Sequence, residues 1–341
     1  MKNNLDIGNL GEKKLIKIIE DLVFKKSGKE LLRDDSFFFD VKNKKFEGNI
    51  ILNSDMLVST TDVPPQMNFY QIGRKSVIMN LSDLFVKGVK PEGLIVSLGL
   101  PKNLKKHEFV DLMLGIIDCI SKYDIEYIGG DLNESKELII NPTVFGFKKS
   151  SDIIYRRGVN VGDLIVANNK FGLTGVGFNI LLEKKGNLKY FHKYKRSIMS
   201  VLEPVVYGRE AFVLSEKKLA TASIDSSDGL FRSLKDLMIS NPNLGFEIEV
   251  NENLIDDEAI LYSNEFNVSI EDLVFNGGEE FIHLFTINSN NFKEAQKNIQ
   301  SIGGHIFKIG NVVSEEYISI SKEGEKKEIK NYGFEHFVKR D

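Results

Sequence analysis

The stretch Gln71-Ile72-Gly73-Arg74-Lys75-Ser76-Val77-Ile78-Met79-Asn80-Leu81-Ser82-Asp83-Leu84-Phe85-Val86-Lys87-Gly88 decides how the rest of the chain is read. Ile72, Val77, Ile78, Met79, Leu81, Leu84, Phe85 and Val86 place an apolar side chain on almost every side of a helix, which is therefore expected to be buried. Gly73, Ser76, Asn80, Asp83 and Lys87 recur at steps of three and four and draw one narrow polar stripe down a single face. Burying Asp83 without a partner costs several kcal/mol or forces it to protonate, so a cation, a donor network or a ligand must meet the stripe. Lys87, one turn on, is the simplest partner, and the helix alone leaves a structural ion pair and a metal site both open.

The chain has 341 residues, long enough for a large core and, at about 150 residues per domain, for two domains. Its 45 basic and 49 acidic residues are well mixed and give a net charge of −4, which leaves no basic footprint for nucleic acid and no polybasic membrane segment. The single cysteine, Cys119, lies among Leu112, Met113, Ile116 and Ile120 at helical spacing and reads as a core thiol. No apolar run reaches the roughly eighteen residues that span a bilayer, and Met1 to Gly8 lacks the apolar core of a signal peptide, so the expected location is the cytoplasm.

Helical spacing predicts an amphipathic helix from about Glu12 to Lys25, and apolar runs predict strands over Phe37–Val41 and Asn49–Leu52. The second of these delivers Asn53, Ser54 and Asp55 to a loop, and Pro64 and Pro65 are expected to hold the chain extended before the central helix. Further on come a strand over Gly93–Leu100, a helix over His107–Lys122, and a strand over Ile125–Ile128 ending in Gly129-Gly130-Asp131. Glycines there let backbone N–H groups approach a phosphate closely. A strand over Leu138–Phe147 precedes the polar Lys148–Ser151, which sets a boundary near 150 between an N-terminal domain, 1–150, and a C-terminal domain, 151–341. In the second half, Gly172, Gly175 and Gly177 read as a glycine-rich loop, although neither a dinucleotide fingerprint nor a P-loop occurs. Leu219–Ile224 reads as a strand running into Asp225-Ser226-Ser227-Asp228-Gly229-Leu230 and a helix, a geometry suited to an anion or metal, though Ser227 or Asp228 as a helix N-cap explains it equally. Asn276-Gly277-Gly278-Glu279-Glu280 enters a strand over Phe281–Ile287, and the charged run Lys322–Glu328 reads as a solvated hairpin tip. The five histidines have no zinc-ligand spacing.

Taken in order, Arg33-Asp34-Asp35, Ser54-Asp55-Met56-Leu57-Val58, Asn80-Leu81-Ser82-Asp83-Leu84, Ile128-Gly129-Gly130-Asp131, Tyr155-Arg156-Arg157-Gly158, Ile224 to Leu230 and Gly277-Gly278-Glu279-Glu280 make a series that resembles thiamine-monophosphate kinase. The resemblance runs from the first helix to Tyr332-Gly333-Phe334-Glu335-His336-Phe337. It implies an α/β (α+β) fold in two domains resembling aminoimidazole-ribonucleotide synthetase: an N-terminal sheet domain that dimerises, and a C-terminal α/β domain that completes a cleft holding ATP and several Mg²⁺ ions. Positions matching the family's metal ligands are Asp35, Ser54, Asp55, Asp83, Asp131, Asp225 and Asp228, of which Asp83, Asp131 and Asp225 are expected to be central to catalysis. Gly130, Asp131, Arg156 and Ser227 match its ATP contacts, and Glu279 matches a substrate contact.

Asp62 stands where the family has a substrate-side histidine, and Tyr332 adjoins the position of the aromatic residue that stacks on thiamine. The implied reaction is in-line transfer of the γ-phosphoryl group of ATP onto the phosphate of thiamine monophosphate, by positioning and charge neutralisation rather than by a strong base. The alternatives are a superfamily member acting on another small phosphorylated acceptor, or a non-catalytic nucleotide-binding regulator. Selenophosphate synthetase is disfavoured because its reactive N-terminal cysteine is absent, and the hydrogenase maturation protein because the chain ends Val338-Lys339-Arg340-Asp341, without a cysteine.

Overall fold

The structure, a computed structural model, describes residues 17, 30, 34, 37–43, 46–183, 190–322 and 324–330. Asp35, Tyr332 and, Lys17 apart, the helix expected over Glu12–Lys25 lie outside the described residues. Strands β1 (Phe37–Asn43), β2 (Phe46–Asn53) and β3 (Leu57–Val58) lead through a one-turn helix, Ser59–Asp62, into the central helix α1 (Phe69–Val86). Then come β4 (Pro91–Leu100), helix α2 (Lys106–Lys122), β5 (Glu126–Glu134) and β6 (Ile139–Lys148). These strands form a six-stranded sheet in the order β1-β2-β6-β4-β5, with β3 paired to β6. Within it β4 and β5 run parallel, joined by α2 as the crossover, and the other pairs are antiparallel.

The rest of the chain supplies β7 (Asp163–Ala167), α3 (Leu173–Phe178), α4 (Lys195–Leu202), α5 (Arg209–Glu216), β8 (Ala220–Ser226) and α6 (Leu230–Ser240). It continues with β9 (Gly245–Glu249), α7 (Asp257–Phe266), α8 (Ile270–Phe275), β10 (Ile282–Asn288), α9 (Phe292–Ser301), β11 (Phe307–Val313), β12 (Ile318–Lys322) and β13 (Glu325–Glu328). The second sheet has seven strands in the order β13-β12-β9-β11-β7-β10-β8. Two mixed sheets with helices packed on them give the α/β architecture expected from the sequence.

Helix α1 starts in a capping box: the Asn68 side chain accepts from Gln71 N at 2.9 Å, and the Gln71 side chain accepts from Asn68 N at 3.1 Å. Ile72, Val77, Ile78, Leu81, Leu84, Phe85 and Val86 are all buried, because α1 is packed against α2, against β2 and β6 of the first sheet, and against β8 and β10 of the second. Its crossing with α2 is very close. A Cβ added at Gly73 would lie 2.2 Å from Leu112 O, and one added at Gly115 would lie 2.0 Å from Tyr70 O, so both helices need glycine at the contact. Cys119, in α2, is buried in this same core, and burial pushes its thiol up to about 11, which makes it inert at neutral pH.

Some local expectations are corrected by the structure. The glycine-rich segment Gly172–Gly177 forms most of α3 rather than a loop. The strand expected over Ile125–Ile128 runs on to Glu134, so Gly130 and Asp131 lie inside β5 and not at its tip. Asp62 closes the one-turn helix instead of sitting in extended chain. The charged run Lys322–Glu328 is an exposed hairpin as expected, but its strand β13 starts at Glu325, so the tip is shorter than the run.

Candidate active site

The polar face of α1 is the hub of a hydrogen-bonded network that reaches both sheets. At the end of β2, Asn53 donates through Nδ2 to Asp83 Oδ2 at 2.6 Å. Asn80 clasps the next turn of the chain: its Oδ1 accepts from Asp55 N at 2.8 Å and its Nδ2 donates to Asp55 O at 3.0 Å. Ser82 donates through Oγ to Asp225 Oδ2 on β8 at 2.8 Å and lies 3.5 Å from Nε2 of the fully buried His283 on β10. Asp83 on α1 and Asp225 on β8 are thus carried on different elements, yet Asp225 is held by Ser82, the helix residue next to Asp83. Both are nearly buried, at 8% and 6% exposure, which keeps most water away from a pair of carboxylates.

Ser54 is exposed beside this network; its Oγ donates to Asn141 Oδ1 at 3.1 Å and accepts from Thr143 Oγ1 at 3.0 Å. Ser227 and Asp228 follow β8, exposed and half-buried respectively, and the helix N-cap there is Gly229 rather than either of them. Gly130 and Asp131 are exposed on β5, the edge strand of the first sheet. A Cβ at Gly130 would lie 1.8 Å from Val96 O, so the sheet itself demands glycine there, whatever the ligand. Arg156 is half-buried, and its main-chain N–H donates to Asp34 Oδ2 at 3.0 Å.

The stripe's last residue, Lys87, reaches partners that helical spacing does not show. Lys87 Nζ lies 3.0 Å from Asp34 Oδ1 and donates to Ser223 O at 2.8 Å, while Asp83 takes the Asn53 amide. Helical spacing left Asp83 open as the partner of Lys87; the structure adds an ion pair with a residue far away in sequence, which that spacing does not show.

On the substrate side, the structure brings Asp62 and Glu279 to one residue that sequence reasoning missed. Lys75 Nζ donates to Asp62 O at 2.5 Å and to Glu279 Oε1 at 2.5 Å. The Asp62 carboxylate turns back to accept from Val58 N at 2.7 Å. Burial pushes the half-buried Glu279 carboxyl above the usual range, the Lys75 ammonium opposes that rise, and Asp62 adds to it. The missed signal was spacing: Lys75 and Ser82 are seven residues apart, two turns of helix, so the polar face is wider than the single stripe.

Glu280 is the second residue that sequence reasoning left without a role. Its Oε1 accepts from Gly172 N at 2.7 Å and from Thr174 N and Oγ1 at 3.2 Å each, tying the start of α3 to the loop before β10. Burial nevertheless pushes its carboxyl up to about 8, with the three donors pulling the other way. A carboxyl raised in the folded state from an ordinary 4.5 binds its proton more tightly there, so its contribution to stability is full below that value and is lost as pH rises through about 8. Glu280→Gln should therefore gain stability relative to the native chain between those limits, by at most about 1.4 kcal/mol per pH unit. Urea melts of both proteins at pH 5 and pH 8 measure this, and parallel pH dependence would show that the donors hold Glu280 ionised.

Among the described residues, no three Asp, Glu, His or Cys side chains are gathered as a preformed metal cage. The donors that do surround α1 are carboxylate, amide and hydroxyl oxygens, the hard set that suits Mg²⁺.

This arrangement of two mixed sheets around a helix with a polar face defines the class. Residues 33–147 match the N-terminal domain model of AIR synthase related proteins. The chain is 34% identical over 331 residues to thiamine-monophosphate kinase of Nitrosopumilus maritimus, covering 97% of this chain and all of the relative. It is 30% identical over 277 residues to thiamine-monophosphate kinase of Methanocaldococcus jannaschii, covering 78% of this chain and 82% of that one. Among solved structures, AaThiL complexed with AMPPCP and TMP superposes with a TM-score of 0.82 over 98% of this chain and all of that one, at 24% identity, which establishes the shared fold. The chain belongs to the thiamine-monophosphate kinase family.

Proposed function

We propose that this chain is a kinase that transfers the γ-phosphoryl group of ATP onto the phosphate of thiamine monophosphate, giving thiamine diphosphate. The observation that carries this reading is the hub on α1, where Asn80, Ser82 and Asp83 tie together Asp55, Asp225 and Asn53 from both sheets. Family membership and the fold shared with a complex of a nucleotide analogue and TMP support it. No helix among the described residues is long and apolar enough to cross a membrane, and we place the reaction in the cytoplasm.

Mg²⁺ fits this donor set, with Asp55, Asp83, Asp131, Asp225 and Asp228, assisted by Ser54 and Asp35, as the residues that would hold it. Mg²⁺ keeps several waters and binds through one or two carboxylates plus substrate phosphates, so a ready-made cage is not required. When bound, it would neutralise phosphate charge. The chain's own contribution is to fix the two nearly buried carboxylates: Asn53 orients Asp83 and Ser82 orients Asp225, so neither has to reorganise as charge shifts during transfer. Because the acceptor phosphate is already ionised, no side chain has to remove a proton before attack. Gly130, Asp131, Arg156 and Ser227 are proposed to contact ATP, with Asp62, Glu279 and Tyr332 on the side of the substrate. Hydrogen bonds from Ser82 to Asp225 and from Lys75 to Glu279 support a cleft between an N-terminal unit, 1–150, and a C-terminal unit, 151–341.

The test is direct. Purified protein with ATP, Mg²⁺ and thiamine monophosphate should yield thiamine diphosphate, read by mass. Nucleotide binding without that product would leave only the regulator or another acceptor.

A homodimer through the first sheet belongs to the same proposal. Ile95 on β4 and Tyr127, Ile128 and Leu132 on the open edge strand β5 are 40 to 63% exposed, an apolar edge of the kind that proteins normally cover. Light scattering should give a dimer for the native chain and a monomer for the Ile128→Lys/Leu132→Lys variant. A native monomer at micromolar concentration excludes it.

A further inference from the structure

Lys75 is only 1% exposed, and a buried ammonium is retained where its partners compensate the lost water. It has two such partners, Asp62 O and Glu279 Oε1, each at 2.5 Å, so one side chain of the central helix grips both the one-turn helix before it and the loop before β10. That loop has an unusual backbone. Glu279 and Phe281 have φ of +58° and +50°, the left-handed region that non-glycine residues rarely adopt. They are pinned there because Glu279 N donates to Ser227 O at 2.5 Å and Phe281 N donates to Ser226 O at 2.9 Å. The backbone is thus tied to the end of β8, and the carboxylate is tied to α1. The second carboxylate oxygen, Glu279 Oε2, is buried and has no hydrogen-bond partner among the described residues. A buried acceptor left unsatisfied is costly, and a ligand donor is the simplest way to satisfy it.

We propose that Lys75 is a positioning residue for the phosphorylated substrate: it clamps one oxygen of Glu279 and so aims the other at an N–H donor carried by that substrate. The inference rests on the kinase reading, in which Glu279 faces the acceptor rather than ATP. Because Lys75 neutralises Glu279, recognition at this point is by direction of the hydrogen bond, and Asp62 adds a negative charge nearby.

Steady-state kinetics on Lys75→Met, Glu279→Gln and the double variant test the idea. Lys75→Met should raise KM for thiamine monophosphate by about tenfold or more while changing KM for ATP less than about twofold. Adding Lys75→Met to Glu279→Gln should raise KM for thiamine monophosphate by no more than about twofold further, because the clamp has nothing left to aim. If an unpaired Glu279 unfolds the single variant, the double variant carries neither charge, and its KM must still match that of Glu279→Gln alone. Equal rises in both KM values, no rise in either, or additive losses in the double variant overturn the proposal. A native protein that makes no thiamine diphosphate removes the kinase reading instead, and this is seen before any variant is compared.

Discussion

Asp83→Asn should reduce kcat for thiamine diphosphate formation by on the order of 10²- to 10³-fold or more and leave the fold intact. Asparagine keeps the shape of aspartate and an oxygen that can accept from Asn53 Nδ2, so the local hydrogen bond at 2.6 Å can persist. What is lost is the charge. Asp83 is 8% exposed, and in so dry a setting a full negative charge toward a cation or a nucleotide–metal complex acts far more strongly than it would in water. The same result is expected for Asp225→Asn, whose Oδ2 accepts from Ser82 at 2.8 Å, and for Asp131→Asn on the edge strand. Each variant should bind ATP more weakly with Mg²⁺ present. Thermal melts without ligand should be unchanged or slightly higher, since removing one of several carboxylates relieves repulsion. Unchanged turnover in all three variants would end the idea that they act together on bound metal.

Lys87→Met should destabilise the protein by about 3–5 kcal/mol, the usual cost of leaving one partner of a buried ion pair behind. Lys87 is fully buried, and the Asp34 side chain that it meets at 3.0 Å is 2% exposed. The pair ties the chain before β1 to the end of α1, and the second bond, to Ser223 O at 2.8 Å, ties α1 to β8. A second substitution then identifies the partner. Asp34→Asn in the Lys87→Met background removes the charge that Lys87 opposes while keeping an acceptor for Arg156 N, and should recover more than half of the loss. Asp83→Asn in that background should recover none of it. Urea unfolding of the four proteins decides between these partners, and recovery by Asp83→Asn would restore the pairing that helical spacing alone suggests.

The residues from Gln71 to Gly88 determined a good deal without any coordinates. An apolar side chain on nearly every side requires burial, and polar residues at steps of three and four require a partner, because helical periodicity and the cost of desolvating a carboxylate are local properties. The order of the acidic motifs likewise indicated the family and its α/β fold. Lys75 was legible only in part: its spacing to Ser82 marks a shared face, but nothing in the chain shows that Glu279, 204 residues later, returns to it.

Tertiary structure decided the remainder. Lys87 meets Asp34, since which distant carboxylate reaches a buried ammonium depends on how remote segments pack rather than on helical spacing. Gly172 to Gly177 reads as a loop because glycine is a poor helix former, yet it lies largely in α3. There a Cβ at Gly175 would come within 2.4 Å of Leu273 O, and one at Gly177 within 2.2 Å of Ser197 O, so these glycines serve close packing against neighbouring chain and not a turn. Asp131 lies within β5 rather than at its tip because pairing with β4 carries the strand on through both glycines to Glu134. A sequence displays which groups need partners; which groups meet them depends on long-range packing that no local pattern encodes.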